Sequence, residues 1–258
     1  MSLYVDKLSF SYKNQPVLDG ISFSLASGEI LVVLGENGVG KSTLLRCLCG
    51  LNKYEGQVSL DGNDLSKTSP RDRAKAVGAV FQSERLFGGT VFQTVLSGRI
   101  PFFGQSPGDG DLARAEDAIL RLGIEDLSHR RADRLSGGEV QKTALSRLVC
   151  QDPSLLLLDE PTSSLDLKSR NRLFSLLGEL KSLGKTVIVT MHDVNAALTI
   201  GDKLLLLKDG KQIFFGDRSL LTEDLVFFSV LVLFSPYSDP LLIRIGVLCH
   251  ARDPADKS

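Results

Sequence analysis

Three segments of the chain are apolar at almost every position, a pattern typical of strands buried on both faces of a sheet. They are Ile30 to Gly35, Leu155 to Asp159 and Thr186 to Thr190. Helical periodicity separates them, as in residues 168–183, where leucines recur at three- and four-residue spacing. Strands that alternate with helices in this way predict an α/β fold with a mainly parallel sheet covered on both faces.

The first third of the chain has a different pattern, in which apolar and polar residues alternate as in half-buried strands. Residues 3–12 place Leu8, Phe10 and Tyr12 on one face and polar residues on the other. Further strand patterns follow, and one of them closes into a turn at Asp61–Gly62. We therefore expect an N-terminal antiparallel β subdomain beside the parallel sheet.

Residues 112–149 are helical in pattern and richer in charge, which predicts a helical subdomain over about residues 86–150. Within it, Gly104 to Asp111 is expected to be a polar loop. We expect residues 1–217 to form a single domain with this subdomain inserted, and residues 218–258 to form a C-terminal extension packed on it.

The C-terminal extension contains the longest apolar stretch, LVFFSVLVLF at residues 225–234. It is about half the ~20 residues that a membrane helix needs, so a buried strand or short core helix is expected there. The N-terminus shows no signal-peptide pattern. We therefore predict that the chain does not cross a membrane by itself.

Composition narrows the function classes. A hydrophobic share of 43% is normal for a globular protein, and 30 basic against 31 acidic residues leave no overall positive field for nucleic acid. The cysteines, Cys47, Cys49, Cys150 and Cys249, lack zinc-type spacing. They are expected to be reduced thiols that are mostly buried, as in a cytosolic protein.

A glycine-rich stretch, GENGVGKST, lies between the first buried strand and a predicted helix, and fits G-x-x-x-x-G-K-[ST]. Glycines let backbone N–H groups turn toward phosphates, Lys41 adds positive charge for the β and γ phosphates, and Ser42 offers a hydroxyl to Mg²⁺. The helix that begins near Lys41 points its positive end at the same anion. The predicted ATP-binding loop comprises Gly35, Glu36, Asn37, Gly38, Val39, Gly40, Lys41, Ser42 and Thr43.

Two acids, Asp159 and Glu160, stand at the C-terminal end of the second buried strand. Ligands bind at this edge of a parallel sheet. An aspartate here can hold Mg²⁺ through water, and the glutamate beside it can orient or deprotonate the attacking water. The alternative is an acidic pair at a helix N-terminus, where negative charge is favourable.

Two more polar residues follow apolar strand patterns and are expected at the same edge. Gln82 comes after the run from Val77 to Phe81, and its amide can bridge Mg²⁺ and the attacking water. His192 follows the third buried strand and can contact the γ-phosphate. Taken alone, Gln82 fits a surface residue and His192 a structural histidine equally well.

A second candidate anion site is the sequence LSGGE at residues 135–139, which opens a predicted helix running to about Cys150. Ser136 and the two glycines are expected to precede the helix, whose N–H groups would face a bound anion. An ordinary serine N-cap satisfies the same local chemistry.

This ordered set of motifs resembles the ATP-binding cassette (ABC) family over residues 3–216. GENGVGKST is similar to its Walker A motif, LSGGE to its signature motif, LLLLDE to its Walker B motif and SSLD, residues 163–166, to its D-loop. Gln82 and His192 fall at the family's Q-loop and switch positions. Lys142 departs from the arginine that is usual after the signature glutamine.

The resemblance implies an ATPase with a P-loop NTPase core and a helical subdomain carrying the signature. It implies a head-to-tail dimer in which each ATP lies between one chain's Walker A motif and the other's signature. Tyr12 falls where the family stacks an aromatic ring on adenine, although a strand residue facing the core is the alternative. The implied catalytic residues are Glu160, His192 and Gln82, and the implied metal ligands are Ser42, Gln82 and Asp159. The other nucleotide-site residues that it implies are Ser136, Gly137, Gly138, Glu139 and Asp166.

One branch of the family is favoured. TVLSGRIPFFG, residues 94–104, and MHDVNAA, residues 191–197, resemble the ATPases of iron-chelate, haem and cobalamin importers, in which Gly-Arg-x-Pro follows the Q-loop. This resemblance implies permease subunits as partners, a solute-binding protein acting indirectly, and a peripheral place on the cytoplasmic face of the membrane. The alternatives are a soluble ATPase in cofactor assembly, such as that of iron–sulfur clusters, and another ABC transporter class. A nucleic-acid ATPase of this type would carry a coiled-coil insertion, and no sustained heptad run is present.

A dense apolar set lies between Gln82 and Gly104. Some of these side chains are expected to pack the helical subdomain, and the rest to leave a groove for a short helix of a transmembrane subunit. The set comprises Leu86, Phe87, Val91, Phe92, Val95, Ile100, Phe102 and Phe103.

Overall fold

In the part of the chain that the structure describes, the three apolar segments form adjacent strands near one edge of a ten-stranded sheet. The computed structural model describes residues 2–86 and 88–220. Its strands run in the spatial order β5-β4-β1-β2-β10-β9-β3-β8-β7-β6. Their bounds are β1 Ser2–Tyr12, β2 Gln15–Ala26, β3 Ile30–Leu34, β4 Glu55–Leu60, β5 Asn63–Asp64, β6 Val77–Val80, β7 Leu155–Asp159, β8 Thr186–Met191, β9 Lys203–Lys208 and β10 Lys211–Asp217.

The parallel half of the sheet consists of β9, β3, β8, β7 and β6, and every neighbouring pair in it is parallel. Every residue of β3, β7 and β8 is buried, as their apolar sequences predict. Alternate residues of β3 enter different cores: Ile30 and Val32 pack on one face of the sheet, and Leu31 and Val33 on the other. The predicted α/β fold with both faces covered is confirmed.

Helices cover both faces. Helix α1 supplies leucines to one core, whereas α4, α5, α6 and α7 pack on the other. The bounds are α1 Lys41–Leu48, α2 Pro70–Ala76, α3 Val91–Leu96, α4 Asp109–Leu122, α5 Gly137–Gln151, α6 Leu167–Ser182 and α7 Val194–Ile200, with 3₁₀ segments at Ser97–Phe102, Glu125–Leu127, Ala132–Arg134 and Arg218–Leu220.

The N-terminal strands β1, β2, β4 and β5 pair antiparallel, as predicted. The simple alternation along β1 is wrong, because Lys7 has a φ of 50° and the register shifts between Val5 and Leu8. A bulge of this kind moves the following residues to the other face of a strand. Val5 and Leu8, three positions apart, are therefore both buried, and Tyr12, at the end of the strand, is 48% exposed.

The predicted loop at Gly104 to Asp111 is too long by three residues, because α4 begins at Asp109. The Asp111 carboxylate accepts from the Gly108 N–H at 3.1 Å and from the Arg99 Nε at 2.9 Å. The first contact closes the helix N-terminus, where acidic residues are favourable. Arg99 is buried and also donates to the Gln151 carbonyl at 3.1 Å, so it ties the 3₁₀ segment to the end of α5.

The division into domain, inserted subdomain and extension stays a prediction. Residues 221–258, including the apolar stretch at 225–234 and Cys249, lie outside the described residues. Cys47 and Cys150 are buried and Cys49 is partly buried, and all three are free thiols, as predicted. Burial raises the pKa of Cys47 to about 12 and that of Cys150 to about 11. Among the helices of residues 2–86 and 88–220, none combines the length and apolar character needed to span a bilayer.

Gly98 and Gly110 provide a matched test of the packing between the 3₁₀ segment and α5. A Cβ on Gly98 would lie 2.4 Å from the carbonyl oxygen of Arg147, whereas one on Gly110, in α4, would meet no described atom within 4 Å. We expect Gly98→Ala to lower the free energy of unfolding by about 1–3 kcal/mol through overpacking. Gly110→Ala should raise it by about 0.5 kcal/mol, because alanine favours helix. Urea denaturation measures both, and equal effects would contradict the packing.

Candidate functional site

The candidate residues meet at one edge of the sheet because three strands are in register. Leu34 of β3 lies opposite Met191 of β8, and Thr190 of β8 lies opposite Asp159 of β7. Strands that end at the same level deliver the residues after them to the same edge. The glycine-rich loop, Glu160 and His192 therefore come together, as the sequence predicts.

The glycine-rich loop passes from β3 to α1 close against the β1–β2 hairpin. Gly40 is the N-cap of α1 and has a φ of 110°, in the left-handed region that favours glycine. A Cβ at this position would lie 3.0 Å from the carbonyl oxygen of Val17. Glycine is thus required both by conformation and by space, and the helix N-terminus stays accessible to an anion.

Lys41 is the first residue of α1, and its side chain is buried. Its Nζ donates to the carbonyl oxygens of Gly35 at 2.8 Å and Glu36 at 3.0 Å. Burial lowers the pKa of Lys41, and the nearby Glu160 and Asp159 partly offset that effect. A lowered pKa means that the unfolded chain holds this proton more tightly, so the stability of the protein rises as the pH approaches 10.5.

The Glu160 carboxylate lies between two groups from other parts of the chain. Its Oε2 accepts from Gln82 Nε2 at 2.8 Å, and its Oε1 is 4.0 Å from Lys41 Nζ. Its backbone has a φ of 47°, which is unusual for a residue with a side chain. Glu160 is not part of a helix, so the alternative of an acidic pair in a helix N-terminal turn is wrong.

Thr190 is a site residue that the sequence analysis missed. Its hydroxyl donates to the Asp159 carboxylate at 2.7 Å and accepts from the Glu160 N–H at 2.9 Å. The available signal was a hydroxyl residue near the end of an otherwise apolar strand. Pairing between β7 and β8 could not be deduced from the sequence, so the sequence did not show which residue the hydroxyl would contact.

Two cavities meet at Glu160. The first has a volume of about 220 Å³ and is lined by loop residues with Lys41, Ser42, Thr43, Gln82 and Glu160. The second, of about 210 Å³, holds His192 together with Glu160 and Arg170. Glu160 thus lines one cavity together with Gln82 and the other together with His192.

The signature residues lie elsewhere. In the described residues, none of Ser136 to Glu139 is among those that line the cavities at Lys41 and His192. Ser136 is the N-cap of α5, and Gly137 begins the helix, so the expectation that both glycines precede it is wrong. The reason is that the Glu139 carboxylate accepts from the Ser136 N–H and hydroxyl, both at 2.8 Å, which closes the first turn at Ser136. These bonds lower the pKa of Glu139.

Contacts join the signature to the loop after Glu160. Gln141, buried in α5, donates to the Pro161 carbonyl at 3.3 Å, and a Cβ on Gly138 would lie 3.0 Å from the Ser164 carbonyl. Asp166, at the end of that loop, caps α6 by accepting from the Ser169 N–H at 2.7 Å, which lowers its pKa.

Tyr12 does not face the core. Its ring stands edge-on to Phe10 with 4.6 Å between the centroids, and its hydroxyl accepts from Asn52 Nδ2 at 3.3 Å. The alternative of a buried strand residue is therefore wrong, and stacking on adenine stays a prediction.

The oxygen donors near Lys41 are a serine hydroxyl, an amide and a carboxylate. In the described ranges, no group of three or more His, Cys, Asp or Glu side chains could hold a metal ion. Mg²⁺ in nucleotide sites is held by few protein oxygens together with phosphates, so the donor set at this edge suits that ion.

A glycine-rich loop between strand and helix, a buried lysine and an acidic pair at the end of the next strand but one together define a P-loop NTPase. The family described as ABC transporter matches residues 18–163. The chain belongs to this family and is an ATP-binding subunit with ATPase activity.

The relatives cover most of the chain. An uncharacterized ABC transporter ATP-binding protein of Methanocaldococcus jannaschii is 38% identical over 226 residues, 87% of this chain and 89% of the relative. The hemin import ATP-binding protein of Gloeobacter violaceus is 37% identical over 209 residues, 78% of this chain and 76% of the relative. A dimeric ATP-binding cassette solved in a post-hydrolysis state with ADP and Pi has a TM-score of 0.76 at 27% identity, covering 84% of this chain and 99% of that one.

Lys41 provides a direct test of the phosphate site. Lys41→Ala removes a charged donor, and hydrogen bonds to charged groups contribute about 1.5–3 kcal/mol, so ATP affinity should fall about 10- to 100-fold. Lys67→Ala is the matched control, because Lys67 is 83% exposed and pairs only with its neighbour Asp64 among the described residues. Calorimetric titration measures affinity and circular dichroism checks the fold. Unchanged affinity in folded Lys41→Ala would contradict the assignment.

Proposed function

We propose that this chain is the ATP-hydrolysing subunit of a membrane importer, working as a head-to-tail dimer on the cytoplasmic face of the membrane. One observation carries the proposal: the Glu160 carboxylate lies between Lys41 and Gln82, at the point where the two cavities meet. A carboxylate in that place can act on a water beside the terminal phosphate of ATP.

In this proposal the glycine-rich loop and the N-terminus of α1 bind the phosphates. Lys41 Nζ, already held near the loop carbonyls, would turn toward the β and γ phosphates. Ser42, Gln82 and Asp159 would hold Mg²⁺, which supplies positive charge to the phosphate oxygens when it is bound. The Tyr12 ring, exposed at the hairpin end, would stack on adenine.

Hydrolysis then depends on positioned groups of this chain. Glu160 accepts a proton from water as the water oxygen bonds to the γ-phosphorus and the bond to the ADP oxygen breaks. The Gln82 amide, at 2.8 Å from Glu160, orients that water. His192 approaches from the second cavity and would donate to the γ-phosphate.

The second copy completes the site. Ser136 to Glu139 stand away from Lys41 of their own chain, at an N-terminus of α5 whose N–H groups can receive an anion. They would contact the γ-phosphate bound by the partner chain, and Asp166 would face the same interface. The related cassette with ADP and Pi is dimeric, which supports this arrangement.

Import is favoured by the relatives, several of which carry import names for different solutes. One is a hemin import protein and others are phosphonates import proteins. We propose import of an iron chelate, haem or cobalamin, on the Gly-Arg-x-Pro stretch at residues 98–101. Import of phosphonates is the rival transport function, and soluble cofactor assembly the rival without a membrane partner. A solute-binding protein would act through the permease.

The proposed permease contact is the groove beside the Q-loop, meaning a cavity of about 260 Å³ lined by Arg85, Leu86, Gly88, Gly89, Gln93, Thr94, Ser97 and Arg147. This groove is more polar than the one expected from the sequence, because Val91 and Val95 are fully buried in the core and do not line it. Phe87 lies outside the described residues. Ile100 and Phe102 belong to the same 3₁₀ segment as Ser97, which lines the groove, and they are 60% and 38% exposed. A short permease helix with both apolar and acidic residues would fit this surface.

Glu160→Gln tests the catalytic assignment. The substitution keeps size and hydrogen bonding but removes the base, so kcat should fall about 10²- to 10⁴-fold while ATP binding persists. Glu116→Gln, an exposed change on α4, is the control. Phosphate release measures the rate, and wild-type turnover by Glu160→Gln would assign the base to another group.

The dimer has its own test in the Glu160→Gln background, where ATP should accumulate in a stable dimer. Adding Ser136→Phe should prevent that dimer, because a bulky ring blocks the anion-binding end of α5. Ser182→Phe, at the exposed end of α6, should leave it intact. Light scattering with ATP reports the mass, and a dimer that survives Ser136→Phe would exclude the signature from the interface.

Charge placed beside the groove tests the permease contact. Ile100→Glu and Phe102→Glu should retain the ATPase rate of the isolated subunit within about two-fold, but lose assembly with a polytopic membrane protein and solute uptake. Leu120→Glu, 57% exposed on α4, is the matched control and should retain all three. Uptake that persists in both variants, or the lack of any membrane partner, would favour the soluble alternative.

A further inference from the structure

Thr190 has a fully buried hydroxyl and belongs to none of the motifs that bind nucleotide. It is the fifth residue of β8, whose other positions near the site are apolar. A hydroxyl in an apolar interior costs free energy unless it is hydrogen-bonded. Valine has nearly the same shape without that cost, so the presence of a hydroxyl indicates a function that valine could not perform.

The Thr190 hydroxyl makes two contacts, one with each acid of the site. It donates to Asp159 Oδ1 at 2.7 Å, and its oxygen accepts from the Glu160 N–H at 2.9 Å. Asp159 lies directly across from it in the β7–β8 register. A single side chain therefore contacts a carboxylate and the following peptide group at once.

For Asp159, the contact fixes how the carboxylate is rotated. A carboxylate rotates readily about its last torsion, and one short hydrogen bond to Oδ1 selects one orientation. The second oxygen is thereby directed away from Thr190. Asp159 is itself buried, and its charge acts on Lys41, which places it near the phosphate cavity.

For Glu160, the contact holds an unfavourable backbone. Its φ of 47° lies in the left-handed region, which is unfavourable for a residue with a side chain. The bond from its N–H to Thr190 helps to hold the peptide in this conformation. With the peptide fixed, the side chain can reach the place between Lys41 and Gln82.

We propose that Thr190 is a positioning residue that orients both acids of the site through one hydroxyl. This inference rests on the proposed roles of Asp159 in holding Mg²⁺ and of Glu160 as the base. Thr190 does not line either of the cavities that meet at Glu160. Its removal should therefore change the rate and the Mg²⁺ requirement while leaving the affinity for ATP almost unchanged.

The experiment compares Thr190→Val, which removes the hydroxyl, with Thr190→Ser, which keeps it. Thr186→Val is the matched control, because Thr186 is also fully buried in β8 and donates to the Ala26 carbonyl at 3.2 Å, away from the site. Thr190→Ala is a second variant without the hydroxyl, in case the valine protein does not fold. Each is measured for ATP affinity, kcat, the Mg²⁺ concentration for half-maximal rate, and unfolding in urea.

Outer contacts of this kind change metal affinity or activity about 10- to 100-fold. We expect Thr190→Val and Thr190→Ala to lower kcat by that factor and to raise the Mg²⁺ requirement, with ATP affinity within about two-fold of wild type. Thr190→Ser should recover most of the rate. Thr186→Val should lose stability but keep both kcat and the Mg²⁺ requirement.

Two results would overturn the inference: Thr190→Val behaving like Thr186→Val, or Thr190→Ser being as slow as Thr190→Val. Parallel measurement of Glu160→Gln separates this failure from that of the proposed function. If Glu160→Gln is inactive while Thr190→Val is normal, the proposed base stands and Thr190 has no positioning role. If Glu160→Gln turns over at the wild-type rate, the proposed role of Glu160 as the base fails, and the base is another group.

Discussion

The parallel register of β3, β8 and β7 is the constraint on which the site depends. Because these strands end at the same level, the loop after β3, the acids at the end of β7 and the histidine after β8 arrive at one edge. The strands are buried on both faces, so they can shift only by disrupting two cores at once. Because the strands cannot shift easily, the relative positions of the residues at this edge are fixed.

The sequence was most informative where the chemistry is local. Unbroken apolar runs predicted the buried strands, and the glycine-rich loop predicted the place of Lys41. It was least informative where contacts depend on register. The bulge at Lys7, which ends the alternation along β1, has no clear residue signal, and the bridge from Thr190 to Asp159 requires knowing which residues pair across two strands. Helix starts at Asp109 and Gly137 depended on side chains that reach back to the preceding backbone.

Helix α5 contacts three segments of the chain that lie outside the sheet. Near its N-terminus Gln141 contacts the loop after Glu160, and near its C-terminus Arg147 pairs with Glu84 at 3.0 Å, two residues after Gln82. Its final carbonyl, from Gln151, accepts from Arg99 of the 3₁₀ segment. A rigid rotation of α5 cannot leave these contacts unchanged. The helix therefore links the loop after Glu160 to the groove beside the Q-loop by direct contacts.

The left-handed backbone at Glu160 has a consequence for how this sequence can evolve. Glycine would adopt that conformation without strain, yet it has no carboxylate. With Glu160 as the proposed base, relief of the backbone strain and turnover of ATP therefore make opposite demands on this position. A chain with glycine at this position would keep the phosphate-binding loop and Lys41 but would lack the carboxylate that the proposed mechanism requires.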